Sequence, residues 1–439
     1  MQTPVPDYLQ QILDECGAPN TGATADYIPE LADADPEILG ICLATTDGVR
    51  YDAGDADVPV SIQSISKPFV YALAIAELGL DAVLKRVGVE PSGEAFNELS
   101  LEAKSGRPRN PMINAGALTT HALIGGGTAS VEERFELVRR GLSDFAGRDL
   151  SVDEQVYASE LDTAYRNRAI ANMLRNYDLI DIEPEDVVRG YTRQCAISVT
   201  TRDLAAMAAT LANGGVQPMT GQRVVEPAVV RQVLSVMMSC GMYDAAGDWM
   251  TTIGFPAKSG VSGGILGVLP GQIGIATLSP RLDSHGTSVR GVRLCGRMSK
   301  DMGMHIMEPP QPARSVVRRD RVLRAPSGHH VRVLSLQGTI QFSAAEHVLR
   351  IVQGELDGIQ RLVLDLRRVD SLNDVAERML AELVRRVQLD GIAVTVLDPE
   401  DRLPKPAAGQ PVPDYSPDLA PFADHKRLRR RTAVERRKR

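Results

Sequence analysis

Gln63-Ser64-Ile65-Ser66-Lys67-Pro68 places a hydroxyl three residues before an amine, directly ahead of the apolar run Phe69-Val70-Tyr71-Ala72-Leu73-Ala74-Ile75-Ala76. The run reads as a buried helix. Proline fits the first turn of a helix, where its missing N–H loses nothing, so Pro68 sets the helix start within a few residues of Ser64. Ser64 and Lys67 then lie one turn apart on one face. A serine hydroxyl becomes a good nucleophile when a neighbouring base takes its proton, and a lysine amine can be that base if burial brings its pKa towards neutrality. The free N–H groups of the helix N-terminus favour an oxyanion formed nearby.

A helix cap followed by a solvated lysine has the same spacing, so the flanking sequence has to decide. Upstream, Leu9, Ile12, Leu13 and Cys16 fall at helical spacing over residues 6–16 and Gly17 follows as a stop. Tyr27 stands in the loop Ala25-Asp26-Tyr27-Ile28-Pro29-Glu30-Leu31, where it can line a site or pack. Residues 38–45 and 49–52 flank Thr46-Asp47-Gly48 and predict a β-hairpin leading into Ser64. Residues 68–240 are mostly helical in pattern, with capping boxes at Ser130-Val131-Glu132-Glu133 and Thr200-Thr201-Arg202-Asp203. The helix after the second box ends at Asn213-Gly214-Gly215. Strands are predicted over 251–256, 264–269 and 273–278, then a closing helix over 288–302. The early hairpin must pair with the late strands to complete an antiparallel sheet, which leaves the helical portion as a separate lobe in an α+β fold. A small substrate would sit in the cleft between them.

Lys258-Ser259-Gly260 falls among the late strands. On a strand edge, its glycine admits close approach by a substrate and its exposed N–H groups offer an oxyanion donor. Together with Ser64-Ile65-Ser66-Lys67 it resembles the S-x-x-K and K-T-G elements of β-lactamase and penicillin-binding-protein hydrolases. A narrower resemblance rests on Tyr27-Ile28-Pro29, Gln63 to Pro68, Asn110-Pro111-Met112-Ile113-Asn114-Ala115-Gly116-Ala117, Ser159-Glu160 with Arg166-Asn167, Tyr191, Gly241-Met242-Tyr243-Asp244 and Lys258-Ser259-Gly260-Val261. Over about residues 5–305 this set resembles the serine-dependent glutaminases.

That resemblance implies hydrolysis of L-glutamine to L-glutamate and ammonia, without metal or organic cofactor. It makes Ser64 the nucleophile, Lys67 its base, and the backbone N–H groups of Ser64 and Val261 the oxyanion hole. Tyr243 and Tyr191 would stand near the reacting amide, where a phenol can relay a proton. Tyr27, Gln63, Asn114, Glu160, Asn167 and Tyr191 would hold the substrate. The chemistry fits a zwitterion: Glu160 can accept from the ammonium, and the neutral amides of Asn114 and Asn167 can serve the carboxylate without adding charge. Glu160 and Asn167 are seven apart, a spacing that predicts both on one helical face. Homodimers or homotetramers are implied for relatives of this kind.

The 439 residues, 43% hydrophobic, suffice for two or three domains. The first residues lack the basic and apolar parts of a signal peptide, and the expected location is cytoplasmic, without membrane insertion. Five scattered cysteines without C-x-x-C spacing argue against a disulfide framework or a structural zinc and read as buried thiols. From Lys426 to Arg439 nine basic residues and one acidic give the tail +8, and a total of −7 leaves −15 for the rest. Such a tail can meet nucleic acid, acidic lipid or its own body, but the expected state is solvated and disordered, without a nucleic-acid partner.

Glu308-Pro309-Pro310-Gln311-Pro312 opens a linker assigned to 308–319, ending a first domain of residues 5–307. Strands over 331–336, 362–366 and 392–397 alternate with helices over 344–354 and 374–388, giving a small α/β domain over 320–403. Leu336-Gln337-Gly338-Thr339-Ile340 and Leu364-Asp365-Leu366-Arg367-Arg368-Val369-Asp370 resemble the STAS domain of anti-sigma antagonists and sulfate transporter tails. Leu372-Asn373-Asp374-Val375-Ala376 stands where such regulators carry a phosphorylated serine, and lacks the hydroxyl. A protein partner or a dimer-forming or structural role stays open for this domain. Residues 404–439 read as a low-complexity tail with little fixed structure. Two other readings compete: a penicillin-binding-like hydrolase, and a regulatory protein acting through the STAS-like domain.

Overall fold

The hairpin of β1 (Gly40–Thr45) and β2 (Arg50–Gly54) turns at Gly48, whose φ of +90° suits glycine. The computed structural model describes residues 5–18, 21–93, 98–308, 316–325, 328–354 and 356–417. The chain divides into two compact units, residues 1–308 and 309–439.

In the first unit β3 (Val60–Ser61) pairs with β4 (Ser198–Val199), pinning the chain just before Ser64 onto the helical lobe. β5 (Ala257–Ser259), β6 (Gly264–Leu269) and β7 (Ile273–Leu278) complete an antiparallel sheet of order β2-β1-β7-β6-β5, so the early hairpin and the late strands do pair. Strand alternation divides the core in two. Ile41, Leu43, Ile265 and Ile275 face the helices Val5–Cys16 and Val289–Met302, through Leu9, Ile12, Leu13, Leu294 and Met298. Cys42, Ala44, Leu266, Val268 and Ala276 face the helix Thr201–Ala212, through Leu204, Ala205 and Ala208. That helix lies so close that a Cβ at Gly274 would be 2.2 Å from the Ala209 nitrogen. Both capping boxes form, at Ser130 with Glu133 and Thr200 with Asp203. The strand expected over 251–256 does not: Ala246–Thr252 is helical, because Trp249 is drawn into the core against Phe255, and the strand begins at Ala257. Four cysteines are buried and Cys16 is half-buried, all as free thiols.

In the second unit β8 (Val317–Arg324) runs antiparallel to β9 (His330–Ile340), and β10 (Arg361–Leu372), β11 (Ala393–Leu397) and β12 (Asp414–Tyr415) continue in parallel. Helices Phe342–Gln353 and Asp374–Leu389 cover Leu334, Leu336, Leu362, Leu364, Val394 and Val396 with Val348, Val352, Leu380, Leu383 and Val387. Asn373 caps the second helix, its Oδ1 accepting from the Ala376 N–H at 2.9 Å. Two expectations are corrected. Strand β8 begins within the stretch read as linker. Residues 404–417 are not structureless, since Leu403 is buried and β12 adds to the sheet through Thr395 with Asp414 and Val396 with Tyr415. The basic stretch from Lys426 lies outside the described residues. No helix among the described residues is long and apolar enough to cross a membrane.

Gly274→Ala forces the Thr201–Ala212 helix off the sheet and should destabilise the first unit by about 1–3 kcal/mol. Trp249, the chain's one tryptophan, reports this unit in urea unfolding, and an unchanged midpoint would contradict the close packing.

Candidate active site

Ser64 and Lys67 sit where a 3-10 turn, Gln63–Ser66, runs into the helix Lys67–Leu78 with Pro68 in its first turn. Three residues per turn bring positions i and i+3 into line, so both side chains leave on the same side. Gln63 enters the turn with φ +50°, a left-handed conformation that non-glycine residues hold only under constraint. Lys67 is fully buried; its Nζ donates to Asn114 Oδ1 at 2.7 Å and lies 3.4 Å from the Tyr243 hydroxyl. Burial lowers the Lys67 pKa from 10.5 to about 7. The Ser64 and Tyr243 hydroxyls are hydrogen-bonded, and burial raises the Tyr243 phenol. Tyr243, like Gln63, has positive φ, +56°.

Asn114 begins the helix Asn114–Leu123, and the octapeptide around it explains its placement. Asn110, buried, accepts from the Met112 and Ile113 N–H groups at 3.0 and 3.2 Å, forming the turn that starts the helix. Gly116 is required because a Cβ there would lie 1.9 Å from the Asn110 oxygen. Asn114 Nδ2 donates to Asn167 Oδ1 at 3.0 Å, which links Lys67 to the second asparagine.

Glu160 Oε1 accepts from the Tyr27 hydroxyl at 2.7 Å and from Gln63 Nε2 at 2.9 Å. Burial raises its pKa, and these two hydrogen bonds oppose the rise. Tyr27 is 45% exposed, with its hydroxyl turned in to Glu160. The expectation of one helix carrying both Glu160 and Asn167 fails: Glu160 lies in the last turn of the helix Glu154–Asp162, and Asn167 lies on a separate helix, Tyr165–Asn176, after a break at Thr163 and Ala164. Tyr191 is buried on the helix Pro184–Cys195 and hydrogen-bonds the Cys195 thiol. Val261 lies in the turn after β5, packed near Ile28, Leu31 and Val156. A Cβ at neighbouring Gly260 would be 3.1 Å from Ile65, so this turn abuts the Ser64 turn.

Lys258 does more than the sequence implied. It is fully buried on edge strand β5, donates to the Ser259 carbonyl at 2.7 Å, and places Nζ 3.9 Å from the centre of the Tyr243 ring. Burial, then Lys67, holds its pKa well below the ordinary value. Among the described residues no group of three or more His, Cys, Asp or Glu side chains is placed to hold a metal ion.

The glutaminase family model matches residues 22–307. The chain belongs to the glutaminase family. The STAS domain model matches residues 323–406, adding a second module to the glutaminase. A Corynebacterium glutamicum glutaminase is 50% identical over 402 residues, 91% of this chain and 96% of the relative. Glutaminase 1 of Bradyrhizobium diazoefficiens is 44% identical over 410 residues, 90% of this chain and 66% of the relative. A crystal structure of Mglu in its glutamate form superposes with a TM-score of 0.81 at 46% identity, covering 92% of this chain and all of that one. A probable glutaminase from Bacillus subtilis superposes with a TM-score of 0.63 at 34% identity over 69% of this chain and 96% of that one.

The sequence reading also passed over Ser66, Gln194 and His121, which adjoin this site. Each is a common residue inside a helical pattern, and only burial sets it apart: all three are at most 1% exposed. Lys67 should titrate with a midpoint of about 7, readable by NMR of lysine labelled at Cε. A midpoint near 10.5 would mean that water reaches the amine.

Proposed function

We propose that the chain hydrolyses L-glutamine to L-glutamate and ammonia through an acyl-enzyme on Ser64. The reading is carried by one observation: a buried amine of depressed pKa, 3.4 Å from a tyrosine hydroxyl that is itself bonded to the Ser64 hydroxyl. Ser64 Oγ attacks the side-chain amide carbon, and its proton passes through Tyr243 to the neutral Lys67. The N–H groups of Ser64 and Val261 hold the oxyanion. When the intermediate collapses, the C–N bond breaks and the proton returns through Tyr243 to the departing nitrogen, which leaves as ammonia. Water then attacks the ester, Lys67 again taking the proton, and releases glutamate and free Ser64.

The amino acid end of glutamine would lie against Glu160, with Tyr27 and Gln63 fixing the carboxylate that receives the ammonium. The ammonium favours the ionised form of Glu160, which burial alone disfavours. Asn114 and Asn167 supply amide groups for the substrate carboxylate, and Tyr191 walls the same end. Homo-oligomeric assembly, a cytoplasmic location and a protein partner for the second unit are part of the same proposal.

Ser64→Ala and Lys67→Ala should each abolish ammonia release from glutamine while leaving circular dichroism and melting unchanged in form. Full turnover by Ser64→Ala would overturn the mechanism. In the wild type kcat/KM should rise as pH increases through about 7, because Lys67 must lose its proton before Ser64 attacks. A rate that falls over that interval would exclude Lys67 as the base.

A further inference from the structure

A buried chain of hydrogen bonds leads away from the nucleophile and takes no part in the reaction as described. The Ser66 hydroxyl donates to the Gln63 carbonyl at 2.8 Å and accepts from Gln194 Nε2 at 2.9 Å. Gln194 Oε1 meets His121 Nδ1 at 2.9 Å. Its polarity is fixed by counting protons. Ser66 has one proton, given to Gln63, so Gln194 must present its NH₂ to Ser66 and its oxygen to His121. His121 therefore carries its proton on Nδ1. Its Nε2 faces Gly190, where a Cβ would lie 2.3 Å away, so only glycine leaves room for the ring. Burial keeps this histidine neutral, with a pKa of about 4. The Cys195 thiol, in hydrogen-bond contact with both Ser66 and Tyr191, branches from the same chain.

The chain ends on Gln63, one of the two site residues with left-handed φ. Left-handed φ at a non-glycine residue is costly and persists only where neighbours over-determine it. Gln63 is held at its carbonyl by Ser66 and at its side chain by Glu160 and Ser61. Its carbonyl and the Ser64 N–H belong to one planar peptide group, so fixing the former aims the latter.

We propose that Gln194, oriented by His121, is a positioning residue that acts through Ser66 on the Gln63–Ser64 peptide and so aims the Ser64 N–H at the developing oxyanion. This rests on the acyl-enzyme reading. The site already receives Lys67 from one end of the turn, and the His121–Gln194–Ser66 chain sets the other. It matters to the transition state and not to ground-state binding, because charge on that oxygen appears only after attack.

Ser66→Ala deletes one oxygen atom. Gln194→Glu keeps the shape but cannot donate, so the Ser66 proton turns to the new carboxylate and leaves the Gln63 carbonyl. Each should lower kcat about tenfold or more, with inhibition by the product glutamate within about twofold of wild type. His121→Asn, whose amide N–H can take the place of Nδ1–H, should keep kcat within about threefold, whereas His121→Leu should match the Gln194→Glu loss. Folded Ser66→Ala and Gln194→Glu proteins with wild-type kcat and only a lower melting temperature would overturn the proposal and leave the chain a structural one. Should Gln194→Glu fail to fold, Ser66→Ala decides alone. Absence of glutamine turnover in the wild type would remove the acyl-enzyme reading itself, a result distinct from either.

Discussion

The site depends on keeping water away from one amine. Lys67 has no exposed surface, and burial moves its pKa from 10.5 to about 7. The unfolded chain holds that proton more tightly than the folded one, so the fold bears a penalty on the order of 5 kcal/mol at pH values below about 7. The penalty shrinks as pH rises from there and vanishes above 10.5, where both states are neutral. A domain marginally stable by 5–15 kcal/mol tolerates such a burden only with a large core around it. Phe69, Val70, Ala72 and Ala74, on the same helix, are all fully buried in the main cluster of the first unit.

Burial alone would leave the amine without direction. Asn114 supplies it, and Asn114 is placed by a turn that Asn110 closes and Gly116 permits. The amides carry the network further, Asn114 to Asn167 and Gln63 to Glu160, so that polar groups of four separate helical segments meet around the site with one carboxylate among them. Amides suit this position for a physical reason. A second charge beside Lys67 would restore its proton or repel it further, whereas a carboxamide donates and accepts without shifting the balance by a full charge.

Much of this was legible where local pattern and tertiary demand agree. The hairpin announced itself by an Asp-Gly turn between apolar strands, and the two capping boxes by serine or threonine three residues before an acid. Lys67 could be placed on a buried helix because nothing in the following run is polar. Failures came where tertiary packing overrode local preference. Thr251, Thr252 and Ile253 have the branched side chains of a strand, yet Trp249 anchors the segment as a helix. Glu160 and Asn167 keep helical spacing, but two helices meet between them and no glycine or proline marks the break. Strand β8 has almost no buried face, reading Val317-Arg318-Arg319-Asp320-Arg321-Val322-Leu323-Arg324, so periodicity had nothing to detect. The proline-rich stretch after Leu403 looked unstructured by composition; it is ordered as far as β12, whose pairing no single-chain pattern encodes.

Tyr243 lies between two buried lysines, with Lys67 near its hydroxyl and Lys258 over its ring face. Burial, and then Lys67, hold the Lys258 pKa well below its ordinary value, so charge on Lys67 disfavours a proton on Lys258. In the proposed reaction the burial of Lys67 keeps the transferred proton mobile. Once Lys67 has taken it from Ser64, the burial of the amine disfavours its staying. The departing nitrogen is the stronger acceptor at that moment, since cleavage leaves it with a free electron pair. A lone lysine in water would hold the proton with a pKa above about 10 and return it reluctantly; a buried lysine returns it readily, and the tyrosine hydroxyl supplies the path.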